Sequence, residues 1–274
     1  MQKFKCNLKP LLFISFIFIL LSCGGGDDDI SPGPGPDPIL PRTSEDVIND
    51  FNNLTINVGI NDLELESVVE GVFWKFRLIV PAGATADNKR PMVLRLHGAA
   101  QAGGETAHQS TACLVEPAFE GKDVFILSPN SNGALWYEQS NQVQVLALLD
   151  LTTSKFNIDE DKMVVTGYSD GGNGSWFYAQ YYENLVTAAI PMASSYNSSN
   201  SSGEVNKINV PLYVIHGSED DLFPIDITKG FVDESVEAGS DITFVVADGL
   251  VHNDPCAYLD YMKDAVEWLE NDVW

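Results

Sequence analysis

The chain has 274 residues, with 15 Lys and Arg against 39 Asp and Glu, a formal charge of −24. A surface this acidic repels polyanions and excludes nucleic acid as a partner. With 45% hydrophobic, 10% aromatic and 20% charged residues, the composition suits one sizeable globular core and excludes disordered, collagen-like and disulfide-packed chains.

In chain order, Lys3, Lys5 and Lys9 precede an apolar run from Leu11 to Leu21, the charge and length pattern of an export signal and too short to span a bilayer comfortably. The run ends at Leu20-Leu21-Ser22-Cys23, which resembles a bacterial lipobox. That resemblance implies lipidation of Cys23 and cleavage before it, so that residues 1–22 are a signal peptide and the membrane is a partner through the lipid. An uncleaved anchor helix is the alternative. Residues 23–42 read as a flexible tether, because Gly24 to Asp29 and the Pro/Gly repeat from Ser31 to Pro38 carry too little apolar surface to offset the cost of ordering. The Gly/Asp run after Cys23 is similar to the surface-export signal of Bacteroidetes-type lipoproteins, which implies an outer-membrane, cell-surface location; a solvated linker facing the periplasm is the other reading. A calcium loop at Asp27 to Asp29 is the weaker reading, since alternating ligands and a closing Glu are missing.

Residues 43–274 read as one catalytic-size domain without repeats. Leu63 to Val69 and Val72 to Val80 predict an antiparallel hairpin turning at Glu70-Gly71. Short apolar runs then alternate with segments of helical length: Met92 to Leu96, Val124 to Leu127, Met163 to Thr166, Thr187 to Met192, Leu212 to Ile215 and Thr243 to Val246. These predict buried parallel strands in βα units. Helices are expected at Asn141 to Lys155, with Val143, Leu146, Ala147 and Asp150 along one side, at Gly171 to Tyr182, and at Tyr258 to Leu269. Ser194 to Ser202 reads as a polar rim or flexible filler. Of the cysteines outside the signal and lipid site, Cys113 and Cys256 predict either one disulfide or two buried thiols, and no metal-ligand spacing occurs.

Gly167-Tyr168-Ser169-Asp170-Gly171 lies between a predicted strand and a predicted helix, the context of a nucleophile elbow. The glycines suit a tight turn in which a β-carbon would crowd the neighbouring backbone; a plain helix N-cap at Ser169 is the competing reading. A serine hydroxyl needs a base and a group that orients it. His252 follows the last strand, and Glu219, Asp220 and Asp221 lie just beyond the preceding one, so a carboxylate and then a histidine follow Ser169 along the chain. His97 and His216, both strand-end His-Gly, read as structural. For the oxyanion hole, the amides of Asp170 and Ala99 are the expected donors. Trp136 and Tyr137 are either an aromatic wall for substrate or loop packing.

The segment His216 to Pro224 resembles the H-G-x-x-D-x-x-x-P stretch of α/β-hydrolase esterases, which maps the orienting acid onto Asp220, with Asp221 and then Glu219 as the fallbacks. His97-Gly98-Ala99-Ala100-Gln101 is similar to the H-G-x-x-Q motif of polyhydroxybutyrate depolymerases and feruloyl esterases of carbohydrate esterase family 1, and Gly171 to Trp176 to the G-G-x-G-x-W run of these and of phospholipase/carboxylesterase-type proteins. The resemblance, from about Phe73 onward, implies an α/β-hydrolase fold and a serine esterase with catalytic Ser169, Asp220 and His252, needing no cofactor or metal. It points to acetyl or feruloyl esters on polysaccharide as substrate. Asp170 departs from the Asn, Met or Gln frequent in relatives. A serine peptidase of prolyl-oligopeptidase type and a non-catalytic, glycan-binding surface lipoprotein are the rival readings.

Overall fold

A computed structural model describes residues 41–84 and 87–274. The export signal, Cys23 and nearly all of the tether lie outside the described residues. Helix α1 (Ser44–Asn53) opens the domain with a reciprocal cap: Asp46 N–H donates to Thr43 Oγ1, and the Asp46 carboxylate accepts from Thr43 N–H.

Strands β1 (Gly59–Glu66) and β2 (Phe73–Val80) form the expected hairpin, with Gly59 opposite Val80 and Glu66 opposite Phe73. Then come β3 (Arg90–Leu96), the short α2 (Val115–Ala118), β4 (Phe125–Pro129), α3 (Gln139–Lys155), β5 (Ile158–Tyr168) and α4 (Asp170–Tyr181). The chain closes with β6 (Ala188–Met192), β7 (Leu212–Gly217), α5 (Ile225–Glu237), β8 (Ile242–Ala247) and α6 (Leu259–Trp268). One eight-stranded sheet results, in the order β1-β2-β4-β3-β5-β6-β7-β8. Pairs β1/β2 and β2/β4 are antiparallel and every other pair is parallel. This is the α/β-hydrolase arrangement.

The central strands read as continuous apolar runs because both faces are covered. Leu94 and Val165 point into a core completed by α1, α3, α4 and α5, while Val93 and Val164 point into a second core under α2 and α6. Strand β8 departs from its expected burial: it is the edge of the sheet, and Val246 is 46% exposed. In α3 the buried stripe is Asn141, Gln144, Val145, Leu148, Leu149 and Thr152, whereas Val143 and Asp150 face water. Apolar periodicity misplaces that stripe because Asn141 and Gln144 are buried for their hydrogen bonds, to Ala134 O and Asn130 O of the preceding loop. The serine-rich segment after β6 is packed in its first half, where Ser194 and Ser198 are buried and Ser195 N–H donates to Asn173 Oδ1, while Ser201 and Ser202 are exposed.

Candidate active site

Strands β3, β5, β7 and β8 run parallel, so the loops after them emerge at one end of the sheet, where ligands meet α/β proteins. Ser169 sits between β5 and α4 with φ 58° and ψ −121°, and its side chain caps no helix N–H. The N-cap reading therefore falls. A non-glycine residue held at positive φ costs about 1–3 kcal/mol, and such outliers concentrate at functional sites. The turn closes because its glycines lack side chains: a Cβ on Gly171 would lie 2.0 Å from Leu96 O, and one on Gly167 2.3 Å from Gly171 O.

The structure brings three of the sequence-predicted side chains into one chain of hydrogen bonds. Ser169 Oγ is 2.9 Å from His252 Nε2, and His252 Nδ1 is 2.8 Å from Asp220 Oδ2. The other Asp220 oxygen accepts from the N–H groups of Leu222 and Phe223, at 3.0 and 2.8 Å, which fixes the carboxylate plane and leaves Oδ2 for the imidazole. Asp220 and His252 are buried, while Glu219 and Asp221 are exposed to solvent. Tyr168 Oη donates to His252 O at 2.7 Å and steadies the histidine loop from below. This arrangement can take a proton from a serine hydroxyl and hold the resulting imidazolium beside a carboxylate.

The other histidines are spoken for. His97 is buried, donates through Nδ1 to Gly98 O (2.8 Å) and accepts through Nε2 from Ser131 N–H (3.0 Å). Burial pushes its pKa down to about 4, so the ring is a neutral strut. His216 donates through Nε2 to Phe223 O, and burial lowers its pKa as well. His108 is buried against Asn130, again with a lowered pKa from burial.

The loop after β3 rests on the nucleophile turn: a Cβ on Gly98 would meet Tyr168 O at 3.0 Å and the Ser169 Cβ at 3.4 Å. Ala99 follows with φ 50°. Ala99 follows Gly98 and Asp170 follows Ser169, so the two expected amide donors belong to two elements that meet at the nucleophile. The Asp170 carboxylate accepts from Ala100 N–H at 2.8 Å, tying the elbow to this loop across 70 residues. Sequence reasoning had a role only for the Asp170 backbone, and no local signal marks the side-chain contact. Ser131, also unforeseen, contacts the same loop twice, through His97 and through Ala100 O.

Trp136 is not a substrate wall. Its ring is 1% exposed, stands edge-on to His97 and donates through Nε1 to His97 O at 2.9 Å, which makes it a pillar under the β3 loop. Tyr137 is half-exposed and leans toward Phe177 of α4. Cys113 and Cys256 form a disulfide, joining the segment before α2 to the loop that follows His252. Among the described residues, no group of three or more His, Cys, Asp or Glu side chains is placed to hold a metal ion, and no helix is long and apolar enough to cross a membrane.

Comparison with known families now adds to the geometry. Residues 131–269, just over half of the chain, match the pattern of the dienelactone hydrolase family. The chain belongs to the dienelactone hydrolase family. No curated protein sequence matches the chain. Among solved structures, a thermostable esterase shares 23% identity at a TM-score of 0.65 over 82% of this chain and 63% of its own. This member of the family thus spans less than two thirds of that esterase. The S-formylglutathione hydrolase of Staphylococcus aureus aligns at 18% identity and TM-score 0.62, over 80% of this chain and 100% of its own. Esterase 2 of Thermogutta terrifontis, propionate bound, aligns at 16% and 0.61, over 78% and 93%. At these identities the three structures speak for the fold.

Proposed function

We propose that this dienelactone hydrolase family member is a serine esterase cleaving carboxylic esters through an acyl-enzyme. The observation that carries the reading is the unbroken chain Asp220–His252–Ser169, with Ser169 raised on a strained turn. His252 Nε2 takes the Ser169 proton as Oγ attacks the ester carbonyl, and Asp220 holds Nδ1–H and the charge that develops on the ring. The negative oxygen faces the amides of Asp170 and Ala99. His252 then protonates the departing alcohol, and water, activated by the same imidazole, releases the acid and restores Ser169.

The substrate class we favour is acylated carbohydrate, acetyl or feruloyl esters of polysaccharide, on the strength of the His97 to Gln101 and Gly171 to Trp176 motifs. The enzyme is read as an exported lipoprotein anchored through Cys23, supported by the basic and apolar N-terminus and by a disulfide that suits an oxidising compartment. The test is hydrolysis of 4-nitrophenyl acyl esters by residues 23–274, with Cys23 replaced, beside Ser169→Ala. Turnover should fall by at least about 10³-fold in the variant; equal rates in the two proteins, or none in either, would reject the esterase reading.

A further inference from the structure

Beside the nucleophile lies a cleft of about 430 Å³ that the reactions above leave unassigned. Gly98, Tyr168, Ala112, Leu114, Pro255 and Met192 are among the residues that line it. We propose that this cleft is the acyl subsite, built for an apolar acyl group longer than acetyl, which narrows the two ester classes favoured above to the bulkier, feruloyl-like one. The inference rests on the esterase reading given above.

Three observations carry it. First, position: Gly98 precedes the oxyanion amide of Ala99, and Tyr168 precedes Ser169. A Cβ on Gly98 would lie 3.4 Å from the Ser169 Cβ, so this end of the cleft abuts the nucleophile, although neither Ser169 nor His252 is among its lining residues. Second, size and chemistry: the volume falls within the roughly 300–1,000 Å³ of small-molecule sites, and the lining is mainly apolar. An acetyl methyl would leave it nearly empty.

Third, the wall is fixed in advance. Arg95 reaches the cleft from β3, but its guanidinium is engaged with Ala107 O (3.0 Å), Ser128 Oγ (3.1 Å) and Ser110 O (2.6 Å). Arg77 adds bonds to Gln109 O and Thr111 Oγ1. On the other side, the Cys113–Cys256 disulfide joins the wall at Ala112 and Leu114 to the wall at Pro255. Such a preformed cleft binds without first ordering its own loops.

The experiment compares kcat/KM for 4-nitrophenyl acetate, butyrate and hexanoate in the wild type, Ala112→Trp and Ser110→Trp. Both substituted positions are exposed at the cleft, so the fold tolerates a larger side chain there. Each buried methylene contributes at most about fourfold, and the wild type should prefer hexanoate over acetate by at least tenfold. Each tryptophan should lower that ratio at least fivefold. A wild-type ratio at or below one, or both variants within twofold of the wild type, overturns the acyl subsite while Ser169-dependent turnover leaves the esterase standing. Absence of Ser169-dependent turnover on every ester removes both.

Discussion

Asp170→Ala isolates the contact between elbow and oxyanion loop. The carboxylate accepts one hydrogen bond, from Ala100 N–H at 2.8 Å, in a partly buried setting. A hydrogen bond to a charged group contributes about 1.5–3 kcal/mol, which is about 10- to 150-fold if it is expressed wholly in the placement of the Ala99 amide at the transition state. The substrate is held elsewhere, so the loss should fall on kcat, about 10- to 100-fold, with KM within threefold. Asp170→Asn keeps an oxygen acceptor and removes a negative charge from beside the developing oxyanion; it should retain at least about a third of wild-type kcat. Steady-state hydrolysis of one 4-nitrophenyl ester, with melting temperatures of all three proteins, decides the matter. An Asp170→Ala enzyme within twofold of wild-type kcat, or an Asn variant as slow as the Ala one, would refute the bracing argument.

Acid stability should carry the signature of His97. Its pKa is about 4 in the folded chain and about 6.5 when unfolded. Below pH 6.5 the unfolded chain therefore binds the extra proton, and stability falls by about 1.4 kcal/mol per pH unit until pH 4, with no contribution above pH 6.5. Urea unfolding at pH 7, 6 and 5 should show a shallower loss in His97→Gln than in the wild type, and identical pH slopes would exclude a buried neutral ring. Reduction of Cys113–Cys256, which spans 143 residues, should lower unfolding free energy by about 3–5 kcal/mol; a urea midpoint unmoved by dithiothreitol would show that the crosslink stabilises nothing.

Strands, their parallel order and the hairpin were legible because they rest on local apolar runs and on Gly71, whose φ of 78° suits a turn. The reacting side chains were legible for a different reason: elbow chemistry constrains Gly167, Ser169 and Gly171 within five residues, and chain order then restricts the acid and the base. What escaped was polar and distant. Asn141 and Gln144 are buried on α3 to serve loop carbonyls, which no hydropathy pattern registers. Trp136 looked like a substrate aromatic because its position beyond a strand was visible, whereas its bond to His97 O, 39 residues away, was not. Asp170 to Ala100 belongs to the same class, as do the contacts through which Arg77 and Arg95 pin the cleft wall.

The imidazole of His97 joins the ends of two strands through a ring that stays uncharged down to about pH 4. The histidine that braces the loop after β3 and the one beside Ser169 are thereby separate residues. The joint between the loops after β3 and β4 therefore keeps its form in mild acid, and near-ultraviolet circular dichroism recorded at pH 7 and at pH 5 should superimpose.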